Sequence, residues 1–233
     1  MTRHENEYWA RFWTEYQTDV ANMDEQSQVL RTRNKQPIEK RKWEITLNTV
    51  AKQLQLRSDD CLLDLCCGNG LFSEAYSILV NQIHAVDISP KLAERLTARD
   101  LPRVTVHTSD MRDAQFPQHS FSKVLWYAGI QYIDESDIVA MVRRIHSWMK
   151  PNGILMIGDI PDRHRLWDYF NDDARRVAYF DGLAQRKPII GSWLDAGWLE
   201  QLCLSSGFAS AHHIAQHRDL IYADFRYDLI ART

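Results

Sequence analysis

Three acidic residues stand at or just after the ends of three short apolar segments, where their carboxylates could share one ligand. Asp64 precedes a glycine turn, Asp87 ends the next apolar segment, and Asp110 follows a third one beside Met111. An acid in the second position can accept both hydroxyls of a ribose. An oxygen in the third position can accept an exocyclic amine of adenine while Met111 packs on the ring. Each acid alone is more often a cap or turn residue, but acids at three successive strand ends favour a nucleoside site.

The glycine turn belongs to the segment LLDLCCGNG, residues 62–70. Glycine has no Cβ, so a backbone built with it can approach a ligand closely, although many packed β–α joints carry the same glycines. The segment lacks the Gly-Lys-Ser/Thr of a triphosphate loop, and Ser73 stands where a dinucleotide fingerprint has its third glycine. Because Asp64 would repel a pyrophosphate, we expect a nucleoside that carries a cationic amino-acid tail.

Short apolar segments alternate with amphipathic segments from residue 61 to residue 158. The apolar segments predict five strands, and two further strands are expected as a C-terminal hairpin: 61–66, 83–88, 104–108, 121–127, 154–158, 211–216 and 225–231. Helices are expected at 71–79, 90–99, 136–149 and 195–207, with Pro37 in the first turn of an earlier helix and a tight turn at 150–153. Such alternation predicts an α/β fold with a doubly wound, mainly parallel seven-stranded sheet. Its ligand would lie beyond the carboxyl ends of the strands.

Residues 45–160 resemble the class I S-adenosylmethionine-dependent methyltransferases, which have a Rossmann-like fold. LLDLCCGNG (62–70) is similar to the family's first motif, often written LDLGCGxG, and AVDIS (85–89) looks like its acidic second-strand motif. SDM (109–111) resembles the adenine-binding stretch, residues 110–121 resemble the "D…LPF…SFD" passage, and MKPNG (149–153) resembles the LKPGG turn. Two departures are Cys66 in place of the motif's first glycine and Ser122 in place of an acid.

The resemblance implies S-adenosylmethionine as cofactor and a role for several residues. Asp64 would hold water or the amino group of the methionine tail, and Asp87 would bind the ribose. Ile88 would cover adenine, and Trp126 would lie where cofactor meets acceptor, with core packing as the alternative. The remaining cofactor residues expected are Tyr16, Arg31, Cys66, Gly68, Asn69, Gly70, Asp110 and Met111.

Two segments outside the motifs are expected to close the site. Residues 1–58 would form a helical lid over a domain of residues 59–233, with Tyr16 near the methionine tail and Arg31 near its carboxylate. An aromatic helix face packed on the sheet is the competing interpretation. The aromatic insertion 162–192 would form an acceptor cap, and a homodimer contact is its alternative role.

Methyl transfer to an oxygen or nitrogen of a small molecule is the expected reaction, because a lidded pocket favours a small acceptor. Candidates for a general base are Tyr127, Asp159, His164 and His212, together with His213, each of which has an alternative as a packing or surface residue. A non-catalytic S-adenosylmethionine- or nucleotide-binding module is the alternative function. A nicotinamide-linked oxidoreductase is disfavoured by the incomplete glycine fingerprint.

The composition sets the remaining expectations. The 233 residues carry a net charge of −3 and are 45% hydrophobic and 25% charged, as in ordinary globular proteins. No nucleic-acid partner is expected, since there is no basic tail and no Asn/Asp-Pro-Pro-aromatic motif at the fourth strand. The four cysteines have no CxxC or zinc-ligand spacing, so no metal is expected. With no apolar run long enough for a membrane span and no signal-like start, the expected compartment is the cytoplasm.

Overall fold

A seven-stranded sheet forms the centre of the computed structural model, which describes residues 3–16, 23–33 and 36–233. Two short strands precede it, β1 (Thr32–Arg33) and β2 (Gln36–Pro37). The sheet contains β3 (Cys61–Leu65), β4 (Gln82–Asp87), β5 (Val104–Thr108), β6 (Phe121–Tyr127), β7 (Met149–Pro161), β8 (Ser210–Ala215) and β9 (Arg226–Arg232). Its strand order is β5-β4-β3-β6-β7-β9-β8. The first five strands in this order are parallel, and β9 runs antiparallel to both β7 and β8. The predicted mainly parallel sheet with a C-terminal hairpin is confirmed.

Nine helices occur in the described ranges. They are α1 (Arg3–Thr14), α2 (Glu25–Gln28), α3 (Lys40–Leu54), α4 (Leu71–Tyr76), α5 (Pro90–Thr97), α6 (Glu135–Trp148), α7 (Leu166–Tyr169), α8 (Asp173–Ala184) and α9 (Ala196–Ser205). Four of them, α2, α6, α8 and α9, begin at an aspartate whose side chain caps the helix. Asp134 caps α6 by accepting the amide of Asp137, and Asp195 caps α9 by accepting that of Trp198. Pro90 begins α5, as predicted, because its fixed φ suits the first helical position.

Two apolar layers cover the sheet, one on each face. Residues that alternate along the strands divide between them: Leu63 and Trp126 face α6 and α9, whereas Leu62 and Leu125 face α3, α4 and α5. Helices on both faces make the sheet doubly wound. β3 lies between β4 and β6, so the chain changes direction across the sheet beside β3. A crevice opens outside the carboxyl ends of the strands at such a point.

Two local predictions are wrong. Pro37 does not start a helix: it pairs with Thr32 in the short β1–β2 hairpin, and α3 starts only at Lys40. Proline lacks an N–H and disfavours helical backbone at the preceding residue, which suits an edge strand equally well. The expected turn at 150–153 lies within β7, where Asn152 adopts a φ of 60° and the pairing with β6 shifts register.

The insertion at 162–192 contains α7 and α8. Helix α8 has no buried residue and carries exposed apolar side chains, including Val177 and Phe180. Phe170, in contrast, is 1% exposed and packs against the rings of Tyr179 and Trp193. The insertion is therefore anchored through an aromatic cluster that includes Tyr179 of α8, while the apolar side chains of Val177 and Phe180 on the same helix stay exposed.

Candidate active site

One cavity lies at the carboxyl ends of β3, β4 and β5 and brings the three predicted acids together. Asp64, Asp87 and Asp110 all line it. Its empty volume is about 1190 Å³, including the part that opens to solvent. We call it the inner cavity. Of the other predicted cofactor residues, it is lined by Arg31, Cys66, Gly68, Asn69, Ile88 and Met111.

Asp64 is a buried carboxylate with one side-chain donor. Its exposed fraction is 1%, and its Oδ2 accepts a hydrogen bond of 2.6 Å from the Ser73 hydroxyl. Burial raises the pKa of Asp64 to about 7, with a smaller contribution from the charge of Asp87, while the Ser73 bond opposes the shift. A cationic group beside Asp64 would favour its ionised form, so the position suits an ammonium group.

Asp87 fixes the glycine turn to the start of α5. Its Oδ2 accepts the amide of Gly68 at 2.7 Å, and its Oδ1 accepts the amide of Ser89 at 2.8 Å. Burial raises the pKa of Asp87 to about 6 although both amide bonds lower it. Gly68 has a φ of 56° and Gly70 a φ of 85°, which is the left-handed backbone that glycine tolerates best.

Cys66 occupies the position where a motif glycine was expected, and it has a φ of 60°. A Cβ on Gly129, in the loop after β6, would lie 2.5 Å from the Cys66 Sγ. The absence of a side chain at Gly129 therefore makes room for the thiol. Burial raises the pKa of Cys66 well above its usual value, so the thiol is protonated and is not an activated nucleophile.

Asp110 already has a strong partner in Arg112. The guanidinium of Arg112 donates to both carboxylate oxygens, at 3.0 Å from Nε to Oδ1 and 2.6 Å from Nη2 to Oδ2. A third nitrogen of Arg112 donates to Asp137 at 2.8 Å. Met111 lines the inner cavity beside them. The carboxylate expected to accept an adenine amine is thus bound by a neighbouring arginine, and Met111 keeps its expected place.

Helix α2 is tied to the glycine turn through Asn69. Its Nδ2 donates to the backbone oxygen of Glu25 at 2.8 Å and to the side chain of Gln28 at 2.9 Å. Arg99, which follows the end of α5, forms an ion pair with Glu25 of α2. The expected cofactor residue Asn69 thus lines the cavity while its amide nitrogen holds α2 in place, and this brings Arg31 over the site.

Arg31, Asp159 and Arg226 form a buried charged cluster between the inner cavity and the end of β7. The Arg226 Nη1 lies 3.0 Å from the Asp159 Oδ2, and the Arg31 Nη2 lies 3.8 Å from the same oxygen. The Arg31 guanidinium also lies 4.7 Å from the ring centroid of Tyr127. Asp159 has a φ of 62°, and its amide donates to the Asp228 carboxylate at 2.8 Å.

The catalytic candidates divide into two groups. Tyr127 and Asp159 line the inner cavity. Burial raises the pKa of Tyr127 well above its usual value, so this hydroxyl is a donor rather than a base at neutral pH. His164 lines neither cavity: its side chain is 76% exposed and pairs with Asp195 at 2.8 Å, which agrees with its alternative as a surface residue. His212 and His213 are also exposed, on the edge strand β8 and outside the cavity lining.

Three further expected residues do not line the inner cavity within the described ranges. Trp126 is fully buried in the core, because strand alternation turns Tyr127 rather than Trp126 to the cavity face. Tyr16 packs among the rings of Phe12 and Trp13. Gly70 abuts Leu96, whose Cδ1 would lie 2.3 Å from a Cβ there. The turn at Gly70 therefore serves helix packing.

A second cavity, the outer cavity, adjoins the first. Trp9, Leu30, Tyr132, Tyr222 and Arg226 line both. The rest of its wall comes from α1, the start of the β1–β2 hairpin, the insertion and the C-terminal loop: Tyr8, Phe12, Thr32, Arg33, Asp168, Tyr169, Asn171, Arg175, Lys187, Pro188, Ile189, Ile190, Asp224 and Phe225. The empty volume is about 1640 Å³, including space open to solvent.

Sequence reasoning missed the residues that join the two cavities. Tyr132 follows β6, whereas Tyr222 and Arg226 come from the loop before β9 and the start of that strand. They follow no motif spacing, and only the pairing of β9 with β7 brings Arg226 next to Asp159. An arginine among aromatic residues near the C terminus was the only sequence signal.

Comparison with known proteins relates part of the chain to methyltransferases. Residues 62–153 match a family model described as a methyltransferase domain. No curated protein sequence matches significantly. Solved structures do match, among them phosphoethanolamine N-methyltransferase 2 of Haemonchus contortus in complex with phosphomonomethylethanolamine and S-adenosylhomocysteine, at a TM-score of 0.62 and 18% identity. That match covers 82% of this chain but 52% of the nematode chain, so this chain spans about half of that protein's length.

Two other structures match over more of their own length. An S-adenosylmethionine-dependent methyltransferase of Mesorhizobium loti has a TM-score of 0.60 and 17% identity, with 80% of this chain and 96% of that chain covered. The [4+2]-cyclase SpnF has a TM-score of 0.61 and 18% identity, with 82% and 80% covered. These identities establish the fold. The segment that matches the methyltransferase domain model, residues 62–153, runs from β3 into β7 and includes the cavity-lining ends of β3, β4 and β5.

A solved structure with this fold contains S-adenosylhomocysteine. The residues of the inner cavity fit the corresponding cofactor, S-adenosylmethionine. The Nε of Arg31 and the hydroxyl of Tyr127 are buried without a hydrogen-bond partner in the described part of the chain. Buried donors of this kind are costly unless a ligand satisfies them. Asp64 and Asp87 provide acceptors in the same cavity.

Among the described residues, no helix is long and apolar enough to cross a membrane.

Proposed function

We propose that the protein transfers the methyl group of S-adenosylmethionine to an oxygen or nitrogen atom of a small molecule held in the outer cavity. The observation that carries the proposal is the continuity of the two cavities, which share Tyr132, Tyr222 and Arg226 beside the Asp159 carboxylate. An acceptor in the outer cavity would thereby reach the cofactor in the inner cavity. A neighbouring structure in complex with a small phosphorylated amine supports an acceptor of small size.

The cofactor supplies an electrophilic sulfonium methyl group when bound. The inner-cavity residues would hold it by complementary charge and hydrogen bonding. Asp87 would accept the ribose hydroxyls, Asp64 the ammonium group, and the free edge of Arg31 the carboxylate. Met111 and Ile88 would pack on the adenine. Each of these three polar residues is at most 8% exposed, so its interactions are little screened by water.

We assign to Asp159 the role of general base for the acceptor. The acceptor lone pair would take the methyl group that the bound cofactor supplies, and the cofactor sulfur would keep the electron pair of the broken carbon–sulfur bond. A neutral hydroxyl or protonated amine must also lose a proton, and Asp159 is the carboxylate at the junction of the cavities that can take it. Tyr127, which remains protonated, would donate a hydrogen bond instead.

The N-terminal segment and the insertion would close the site from two sides. Trp9 and Trp13 of α1 line the inner cavity, and Leu30 and Arg31 follow α2. Tyr169 and Ile190 of the insertion line the outer cavity. We propose that these segments are the lid and the acceptor cap, which exclude water and align the acceptor with the methyl group.

The test is a transfer assay with S-adenosylmethionine carrying a tritiated methyl group and a panel of hydroxyl- and amino-bearing small molecules. We expect label in the small-molecule fraction, and we expect Asp159→Asn to lower the rate about a hundredfold with an oxygen acceptor. Asp181→Asn, on exposed α8, is the matched control and should retain the rate. Binding of S-adenosylhomocysteine without any transfer would instead support a non-catalytic binding module.

A further inference from the structure

Arg226 presents an unused donor edge at the junction of the two cavities. Its side chain is 9% exposed, and its Nη1 donates both to the backbone oxygen of Asp159 at 2.7 Å and to the carboxylate at 3.0 Å. The Nε is buried and has no hydrogen-bond partner among the described residues. Asp159 therefore occupies one nitrogen of the guanidinium, and the edge that contains Nε is left for a ligand.

Aromatic side chains hold this guanidinium in place. It lies 4.8 Å from the ring centroid of Tyr222 and 5.5 Å from that of Phe225. The hydroxyl of Tyr222 donates to the backbone oxygen of Thr32 at 2.7 Å, which fixes the ring. A guanidinium held between rings and a carboxylate is preorganised, so little entropy is lost when it binds a further group.

The charges around the Nε edge of Arg226 favour the binding of an anion. Asp159 is shared by two guanidiniums, since Arg31 lies 3.8 Å from the oxygen that Arg226 contacts. In the outer cavity, the cations Arg33, Arg175, Lys187 and Arg226 face the carboxylates Asp168 and Asp224. Asp224 pairs with Arg33 at 3.2 Å, whereas Lys187 has no ion pair in the described part of the chain. The cavity wall thus carries more positive than negative charge.

We propose that the acceptor carries an oxyanion, a carboxylate or a phosphate, that binds the Nε edge of Arg226. The planar edge of an arginine matches two oxygens of either group through parallel hydrogen bonds. The remainder of the acceptor would be a flat apolar body among Tyr8, Trp9, Phe12 and Tyr169 of the outer cavity. This inference rests on the proposed function, because it takes the outer cavity to be the acceptor site.

The experiment is a calorimetric titration of the protein saturated with S-adenosylhomocysteine. The probes are benzoate, phenyl phosphate and the neutral benzamide. We expect at least one of the two anions to bind about tenfold or more tightly than benzamide, and the preferred anion distinguishes a carboxylate from a phosphate. Arg226→Gln should abolish that preference. Arg226→Lys, which keeps the charge beside Asp159, should weaken the preferred anion about tenfold while retaining the folded protein's melting transition.

Arg176→Gln is the matched control, because Arg176 pairs with Asp173 on α8 and does not line either cavity. Equal binding of benzoate, phenyl phosphate and benzamide, no binding of any of them at millimolar concentration, or an equal effect of Arg176→Gln would overturn the inference. S-adenosylhomocysteine is titrated alone before any probe is added, and a protein that fails to bind it would refute the proposed function itself. The two failures are therefore separate.

Discussion

Cofactor binding should release protons, because the two buried acids of the inner cavity have raised pKa values. Asp64 has a pKa of about 7 and Asp87 a pKa of about 6, against an ordinary value of 3.8. At pH 6, Asp64 is mostly protonated in the free protein and would ionise beside the ammonium group. Each unit between pH and pKa costs about 1.4 kcal/mol, so S-adenosylhomocysteine should bind about tenfold more weakly at pH 6 than at pH 8.

The pH dependence of stability in the free protein should have the opposite sign. A carboxyl whose pKa is raised by folding binds more protons in the folded than in the unfolded state between pH 4 and 7. The contribution of Asp64 to the free energy of unfolding is therefore fully present below pH 4 and is lost as the pH rises toward about 7. Saturating S-adenosylhomocysteine should remove this loss, since the bound ligand favours the ionised form.

The assay is isothermal titration at pH 6 in two buffers with different ionisation enthalpies. The difference in apparent enthalpy counts the protons released, and we expect about one. Asp64→Asn should abolish most of that release and flatten the pH dependence of affinity. Asp59→Asn, which replaces an exposed carboxyl beyond α3, is the control and should change neither. Proton release that is absent in the wild-type protein, or unchanged in Asp64→Asn, would refute the ionic role of Asp64.

Three further predictions follow from single contacts. Asp87→Ala should weaken S-adenosylhomocysteine binding by about 2–3 kcal/mol in calorimetry, since hydrogen bonds to a charged group are lost, and unchanged affinity would contradict the ribose role. Gly129→Ala should destabilise the protein by about 1–3 kcal/mol in chemical denaturation, because its Cβ would lie 2.5 Å from the Cys66 Sγ. Adding Cys66→Gly should restore stability, and no rescue would argue against this contact. The pKa of His84 is lowered by burial and by the charge of His107, so the contribution of His84 to stability should fall as pH drops below 6.5. In thermal melts, His84→Phe should therefore be more stable relative to the wild-type protein at pH 5 than at pH 8, and an unchanged difference would contradict the role of His84.

The sequence predicted those parts of the structure that depend on local pattern. The strand ends carrying Asp64, Asp87 and Asp110 were predictable because each follows an apolar run whose length and breaking residues are visible in the chain. Parallel strands bring their carboxyl ends to one edge of the sheet, so the three acids share a cavity. The boundaries of β6 at Phe121 and Tyr127 were predicted for the same reason.

The errors arose where tertiary contacts decide. Trp126 and Tyr127 are consecutive in β6, and only the register of the sheet determines that Tyr127 faces the cavity. His164 and His212 were candidates by residue type alone, whereas exposure depends on the whole fold. Arg226 was missed because its partner Asp159 is 67 positions away in the chain and meets it only through the antiparallel pairing of β9 with β7.

The most direct test of the central claim is a crystal structure of the protein with S-adenosylhomocysteine. The account predicts the ribose within hydrogen-bond distance of Asp87, the adenine beside Met111, and the amino-acid tail between Asp64 and Arg31. Ligand density outside the inner cavity, or a ligand inside it that contacts neither Asp64 nor Asp87, would contradict the account.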